Sequence, residues 1–144
     1  MGCNLSKKAI LGEGKGGEPE ADKKVLFLGL DNAGKSTLLF QMRDQEFKET
    51  VPTVGLNVEQ IKYKNDNFTL WDVSGQATRL WKHYFDKIHA IIFVIDSSDS
   101  ERLSKAKTLL NRCIADNDLV AAPFLVFANK QDLPEKLSEQ EIYE

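Results

Sequence analysis

The chain has 144 residues, 42% apolar and 28% charged, with a formal net charge of -3, which allows one domain with a genuine core and leaves too little for two. That charge gives no general attraction to phosphate backbones and argues against nucleic acid as a partner, while the longest strongly apolar run, AIIFVI at 90–95, falls far short of the roughly 20 residues that span a bilayer. No secretory signal with an uninterrupted apolar core opens the chain, and Cys3 and Cys113 form no zinc-ligand spacing, so the composition points to a reducing, cytosolic-side protein.

The first six residues, MGCNLS, fit the acylation pattern M-G-x-x-x-[ST], in which Gly2 becomes the myristoylated N-terminus once Met1 is removed. One acyl chain anchors only marginally. A second signal is therefore expected, either Cys3 as a palmitoylation site or Leu5, Lys7, Lys8, Ile10 and Leu11 on a short interfacial helix. The following GEGKGGEPEADKK (12–24) is rich in glycine and charge and reads as a flexible tether. Residues 1 to 24 are thus expected to form a membrane-targeting segment and tether, and residues 25 to 144 the folded domain.

VLFLG (25–29) has the continuous hydrophobicity of a strand buried on both faces, and KSTLLFQMRD (35–44) follows as a helix. GLNVEQIKY (55–63) and FTLWDV (68–73) predict a hairpin around the turn-prone KNDN. AIIFVID (90–96) is another buried strand, residues 100–117 carry apolar side chains at helical spacing, and FLVFAN (124–129) is a last strand. Ser138 and Glu141 form the S-x-x-E of a capping box that opens a further helix. Strands alternating with crossover helices predict an α/β fold, a three-layer mostly parallel sheet with helices on both faces. Ligands of such sheets gather beyond the carboxyl ends of the strands, here after Leu28, Val73, Asp96 and Ala128.

Directly after the first of these ends stands GLDNAGKS (29–36), which fits the phosphate loop (P-loop) pattern GxxxxGK[ST] letter for letter. Its glycines allow close backbone approach to an anion, and the next helix aims free N–H groups at it. Asp31, Asn32, Ala33, Gly34, Lys35, Ser36 and Thr37 are the residues expected around the phosphates, with Lys35 reaching the terminal ones and Ser36 placing its hydroxyl on Mg²⁺. WDVSGQ (71–76) then supplies Asp72 to hold the metal directly or through water, Gly75 to approach the γ-phosphate with its N–H, and Gln76 to orient an attacking water. Between the two lies TVPTVGLN (50–57), from which one hydroxyl, of Thr50 or Thr53, would complete the metal shell when a γ-phosphate is present.

NKQD (129–132) follows a buried strand, where a base reader should lie. The Asp132 carboxylate offers two acceptors to the N1–H and N2 amine of guanine, a pair of donors that adenine lacks in that arrangement. Asn129 would hold the loop and base edge, and the alkyl stem of Lys130 would cover the base face. In this order, after a phosphate loop and Asp-x-x-Gly, the motif selects GTP over ATP.

GLDNAGKST, PTVGLNVE, WDVSGQ, LWKHYF, FVIDSSDSERL and FANKQDLP together resemble, in order, the segments of small GTPases of the ADP-ribosylation factor (Arf) and Arf-like family, over about residues 23 to 141. The resemblance implies Lys35 and Ser36 at the phosphates and metal, Thr53 as the switch threonine, Asp72 and Gly75 at the metal and γ-phosphate, Gln76 as the water-positioning residue, and Asn129, Lys130 and Asp132 at guanine. It implies further that Leu56, Trp71 and Tyr84 form the apolar patch read by effectors. Three departures stand out: Leu56 where the family commonly has phenylalanine, Ser74 in place of a glycine, and only ATR between Gln76 and LWKHYF. The start MGC also resembles heterotrimeric G-protein α subunits, but sixteen residues between Ser36 and Thr53 leave no room for their inserted domain.

The implied activity is a GTP/GDP switch with Mg²⁺, working in vesicle-mediated protein transport, peripheral on endomembranes through N-terminal acylation. The implied partners are an exchange factor, a GTPase-activating protein and effectors. No arginine precedes Thr53, so intrinsic hydrolysis should be slow. The family's last strand and final helix have no counterpart before Glu144, which predicts that this chain binds nucleotide weakly or is partly unfolded without help. The competing expectation is a lipid-anchored interaction fragment that no longer cycles nucleotide.

Overall fold

The computed structural model describes residues 22–44, 50–51 and 53–143. Five strands form one sheet in the order β2-β3-β1-β4-β5: β1 (Lys23–Leu28), β2 (Leu56–Tyr63), β3 (Asp66–Val73), β4 (Ala90–Asp96) and β5 (Phe124–Asn129). β1 pairs in parallel with β3 and β4, and β4 with β5, whereas β2 pairs antiparallel with β3. This is the mostly parallel α/β sheet expected from the alternation of apolar runs and helical segments. Among the described residues no helix is long and apolar enough to cross a membrane.

The continuous apolar runs are explained by two cores, because successive strand side chains face opposite sides of the sheet. Val25 and Phe27 of β1 join Ile92, Val94, Phe127 and Leu39 of α1 (Lys35–Asp44) on one side. Leu26 and Leu28 join Ile91, Phe93 and Ile95 on the other, against Trp81, Phe85 and the Ala106, Leu109 and Cys113 stripe of α2 (Leu103–Ile114). Fully burying each such side chain contributes roughly 1.5–3 kcal/mol, so the central strands form a rigid base from which the loops at their carboxyl ends project.

Three details differ from the pattern-based reading. The hairpin turn is shorter than KNDN, since Lys62↔Asn67 and Tyr63↔Asp66 are still paired; Lys64 takes up the bend at φ 54°, and Lys23 Nζ holds Asp66 Oδ1 at 3.2 Å. The helix after β4 starts as a 3-10 turn (Ser100–Arg102), capped by Asp99, before α2 proper. A second 3-10 turn (Thr78–Tyr84) crosses one sheet face and buries Trp81, whose Nε1 donates to the Ser74 carbonyl at 3.0 Å. α3 (Glu139–Tyr143) does open with the capping box: Ser138 N–H donates to Glu141 Oε2 at 2.8 Å and Glu141 N–H to Ser138 Oγ at 3.3 Å.

Candidate nucleotide site

The carboxyl ends of β1, β3 and β5 converge on an open cleft of about 310 Å³ lined by Asp31, Asn32, Gly34, Lys35, Ser36, Thr37, Thr50, Val51, Thr53, Ser74, Gly75, Gln76 and Lys130. Its floor is the loop between β1 and α1. Lys35, at the first position of α1, is buried and donates from Nζ to the Gly29 and Leu30 carbonyls at 3.1 and 2.9 Å. Burial pushes its ammonium below the usual lysine value, partly offset by the Asp72 and Asp31 carboxylates. A desolvated cation inside a loop of backbone N–H donors makes the floor a site for anions.

Beside it, three oxygen-bearing side chains meet. Asp72 Oδ2 accepts from Ser36 Oγ and, at 3.0 Å, from Thr53 Oγ1, while the two hydroxyls lie 2.7 Å apart. The geometry separates the two threonines, since Thr50 Oγ1 instead rests 3.1 Å from Thr37 Oγ1. Asp72 is fully buried and its Oδ1 has no hydrogen-bond partner. A buried carboxylate oxygen left without a partner is costly, and a small hard cation would satisfy it. The donor set is hydroxyls and one carboxylate, and the described residues hold no cluster of three His, Cys, Asp or Glu. That suits Mg²⁺, which keeps waters and phosphate oxygens in its shell, better than Zn²⁺.

Gly75 forms the opposite wall and rests directly on the phosphate loop: a Cβ added there would fall 2.2 Å from Asp31 N and 2.7 Å from the Gly29 carbonyl oxygen. Gln76 is exposed at the cleft rim. Its backbone N–H donates to Ser74 Oγ at 3.3 Å. Ser74 is therefore a buried anchor, tied by its hydroxyl to Gln76 and by its carbonyl to Trp81.

At the end of β5, Asn129 Nδ2 donates to the Ala33 carbonyl at 2.9 Å, binding this loop to the phosphate loop. Gly34 is the position that permits it, since a Cβ there would lie 2.3 Å from Asn129 Nδ2 and the backbone sits at φ 97°. Lys130 occupies the left-handed region at φ 63°, uncommon for a side chain of its size, and Nζ is held by Asp96 Oδ2 at 2.6 Å. Fully buried Ser97 ties the region together: its N–H donates to the Asn129 carbonyl, its Oγ accepts from Gln131 Nε2, and its carbonyl accepts from Leu137 N–H. Asp132 stands exposed beyond Lys130 and, like Asn129, does not line the cleft.

A sequence model of the ADP-ribosylation factor family matches residues 12–144. The chain belongs to the ADP-ribosylation factor family. This Arf-family chain is also similar to a solved structure described as the Arl6 BBS3 small GTPase from Trypanosoma brucei with bound nucleotide analogue GppNp, at 34% identity, covering 85% of this chain and 75% of that one with a TM-score of 0.76. The fold is accordingly the small-GTPase form of the P-loop architecture.

Away from the cleft, half-buried Leu56, Trp71 and Tyr84 pack against the same core at the β2/β3 side of the sheet, with the Trp71 and Tyr84 rings 6.3 Å apart. Pattern reading missed Lys24, whose Nζ lies 3.9 Å from the Trp71 ring centroid and donates to the Tyr84 and Asp86 carbonyls. Gly2 and Cys3 fall outside the described residues. Also missed were Asp96, Ser97 and Arg102, which hold Lys130, the loop after β5 and Asp31. Their linear signal is their place at or after the carboxyl end of β4, within the FVIDSSDSERL segment of the family resemblance.

Proposed function

We propose that this chain is a guanine-nucleotide switch that binds GTP and GDP with Mg²⁺ and hydrolyses GTP to GDP. The observation that carries the reading is the meeting of Ser36, Thr53 and Asp72, with a buried carboxylate oxygen unpartnered, beside a lysine-floored phosphate loop. Membership of the ADP-ribosylation factor family, and similarity to a small GTPase solved with a nucleotide analogue, support it.

In this reading the loop N–H groups from Asp31 to Thr37 bind the phosphates, and Lys35 supplies positive charge to their oxygens. Ser36, Thr53 and Asp72 would hold Mg²⁺, which when bound supplies charge neutralisation at the phosphates. Gln76 orients a water for in-line attack on the γ-phosphorus. The bond to the bridging oxygen breaks, leaving GDP and inorganic phosphate. Thr53 couples the loop before β2 to the terminal phosphate, and Gly75 couples the segment after β3. Asn129, Lys130 and Asp132 read guanine. Without an arginine of its own before Thr53, the chain relies on a GTPase-activating partner for one, worth about 10³ to 10⁵ in rate. Effectors bind at Leu56, Trp71 and Tyr84, an exchange factor reloads the site, and Gly2 and Cys3 acylation holds the switch on endomembranes in vesicle-mediated protein transport.

Titration of residues 1–144 with fluorescent GDP, with and without Mg²⁺ and with GTP or ATP as competitor, tests the core of this. Saturable binding strengthened by Mg²⁺ and displaced by GTP but not ATP is expected. Absence of binding, or equal displacement by ATP, overturns it.

A further inference from the structure

The phosphate loop carries a negative side chain at its third position, Asp31, which lines the cleft. Such loops bind phosphate through N–H groups, and a carboxylate there is a like charge placed against the ligand. Lys35 does not cover Asp31 by contact, because its ammonium is given to the Gly29 and Leu30 carbonyls. Arg102 does. Lying 71 residues further on, it donates from Nη1 to Asp31 Oδ1 at 2.9 Å and from Nη2 to the Asp31 carbonyl at 3.3 Å.

Arg102 is itself aimed by a second carboxylate. Asp99 Oδ2 accepts from its Nε at 2.5 Å, and Asp99 Oδ1 from its backbone N–H at 3.2 Å. The guanidinium is thus held between Asp99, ahead of α2, and the phosphate loop, with each of its three nitrogens donating. A group so held is unsuited to swing into the cleft as a catalytic arginine. It is suited to neutralise a charge that stays in place.

We propose that Arg102 is a specificity-determining residue for the terminal phosphate: by holding the Asp31 carboxylate it masks a negative charge carried by the loop that encloses the polyphosphate, and so sets the affinity ratio of triphosphate to diphosphate. The inference rests on the guanine-nucleotide reading above. Its logic is electrostatic, because a triphosphate adds one phosphoryl group and about one further negative charge at the end of the chain that the loop encloses. Unmasking Asp31 penalises that ligand more than the shorter one.

The test is equilibrium titration of residues 1–144 with fluorescent GDP and a fluorescent non-hydrolysable GTP analogue at saturating Mg²⁺. Arg102→Gln should lower triphosphate affinity relative to diphosphate by roughly tenfold, the scale of one partly screened charge contact. Asp31→Asn should shift the ratio toward triphosphate, and the double variant should return near the unaltered chain. An unchanged ratio in Arg102→Gln, or an equal loss of both nucleotides not rescued by Asp31→Asn, overturns the proposal by showing Arg102 to be only a brace. If Arg102→Gln fails to fold by circular dichroism, Asp31→Asn decides alone, and an unchanged ratio there also overturns it. Failure of the unaltered chain to bind either nucleotide would remove the parent reading together with this one.

Discussion

Asn129 and Ala33 are 96 residues apart in the chain, and the Asn129 side-chain amide donates to the Ala33 carbonyl at 2.9 Å. The contact fastens the loop after β5 to the phosphate loop. Its loss should therefore be felt at both ends of the site.

Asn129→Ala removes the donor and leaves a carbonyl without its partner, at a cost of roughly 1–3 kcal/mol. The urea midpoint of the chain should fall accordingly. Binding of di- and triphosphate should weaken together, since the loop as a whole is loosened. A midpoint equal to that of the unaltered chain would show the bond to be incidental.

Asp72→Asn keeps the shape of the residue that gathers Ser36 and Thr53 but removes its charge. In the unaltered chain, stripping Mg²⁺ with a chelator should accelerate release of fluorescent GDP. In the variant, metal affinity should drop roughly 10- to 100-fold or more, so release is already fast and the chelator adds little. A chelator effect of the same size in both would exclude Asp72 from the metal.

Asp96 gives the acid limb of stability a defined sign. Burial alone would raise its carboxyl, yet the Lys130 ammonium and the Ser98 hydroxyl and N–H outweigh that and hold it below the ordinary 3.8. A carboxylate depressed in the folded state contributes stability that is complete above the unfolded value and lost as pH falls through the folded one. Asp96→Asn should therefore lose less of its remaining stability than the parent between about pH 5 and pH 3. Parallel urea-midpoint profiles of the two proteins would contradict this.

Cys113 lies on the inner stripe of α2, and burial, with Asp116 nearby, pushes its thiol up to about 11. The thiolate is the reactive form. In the native chain at pH 8 the Cys113 peptide should remain unmodified by iodoacetamide, as read by mass spectrometry, and become labelled in urea. Prompt native labelling would place the α2 stripe in exchange with solvent.

The fold class was legible because burial on both faces leaves a direct trace, the unbroken apolar runs of β1 and β4. The loops that matter were legible for a related reason: sheet topology dictates that they follow Leu28, Val73, Asp96 and Ala128. What pattern could not reveal were pairings made across those loops. Arg102 and Asp31, or Lys130 and Asp96, are ordinary charged residues in linear view, separated by 71 and 34 positions. Only the stacking of strand ends turns them into neighbours. The 3-10 turn at Thr78–Tyr84 escaped similarly, because one buried indole rather than a helical period holds it down.

The contact of Gly75 with the phosphate loop is made by main-chain atoms alone. A seam of that kind takes no instruction from the side chains around it. Substitutions at exposed Gln76 or half-buried Ala77 can change what the segment displays outward while leaving its seat on the loop unaltered. The seat on the loop and the outward face of the segment can thus diverge separately, whereas a side chain introduced at position 75 would force the two to change together.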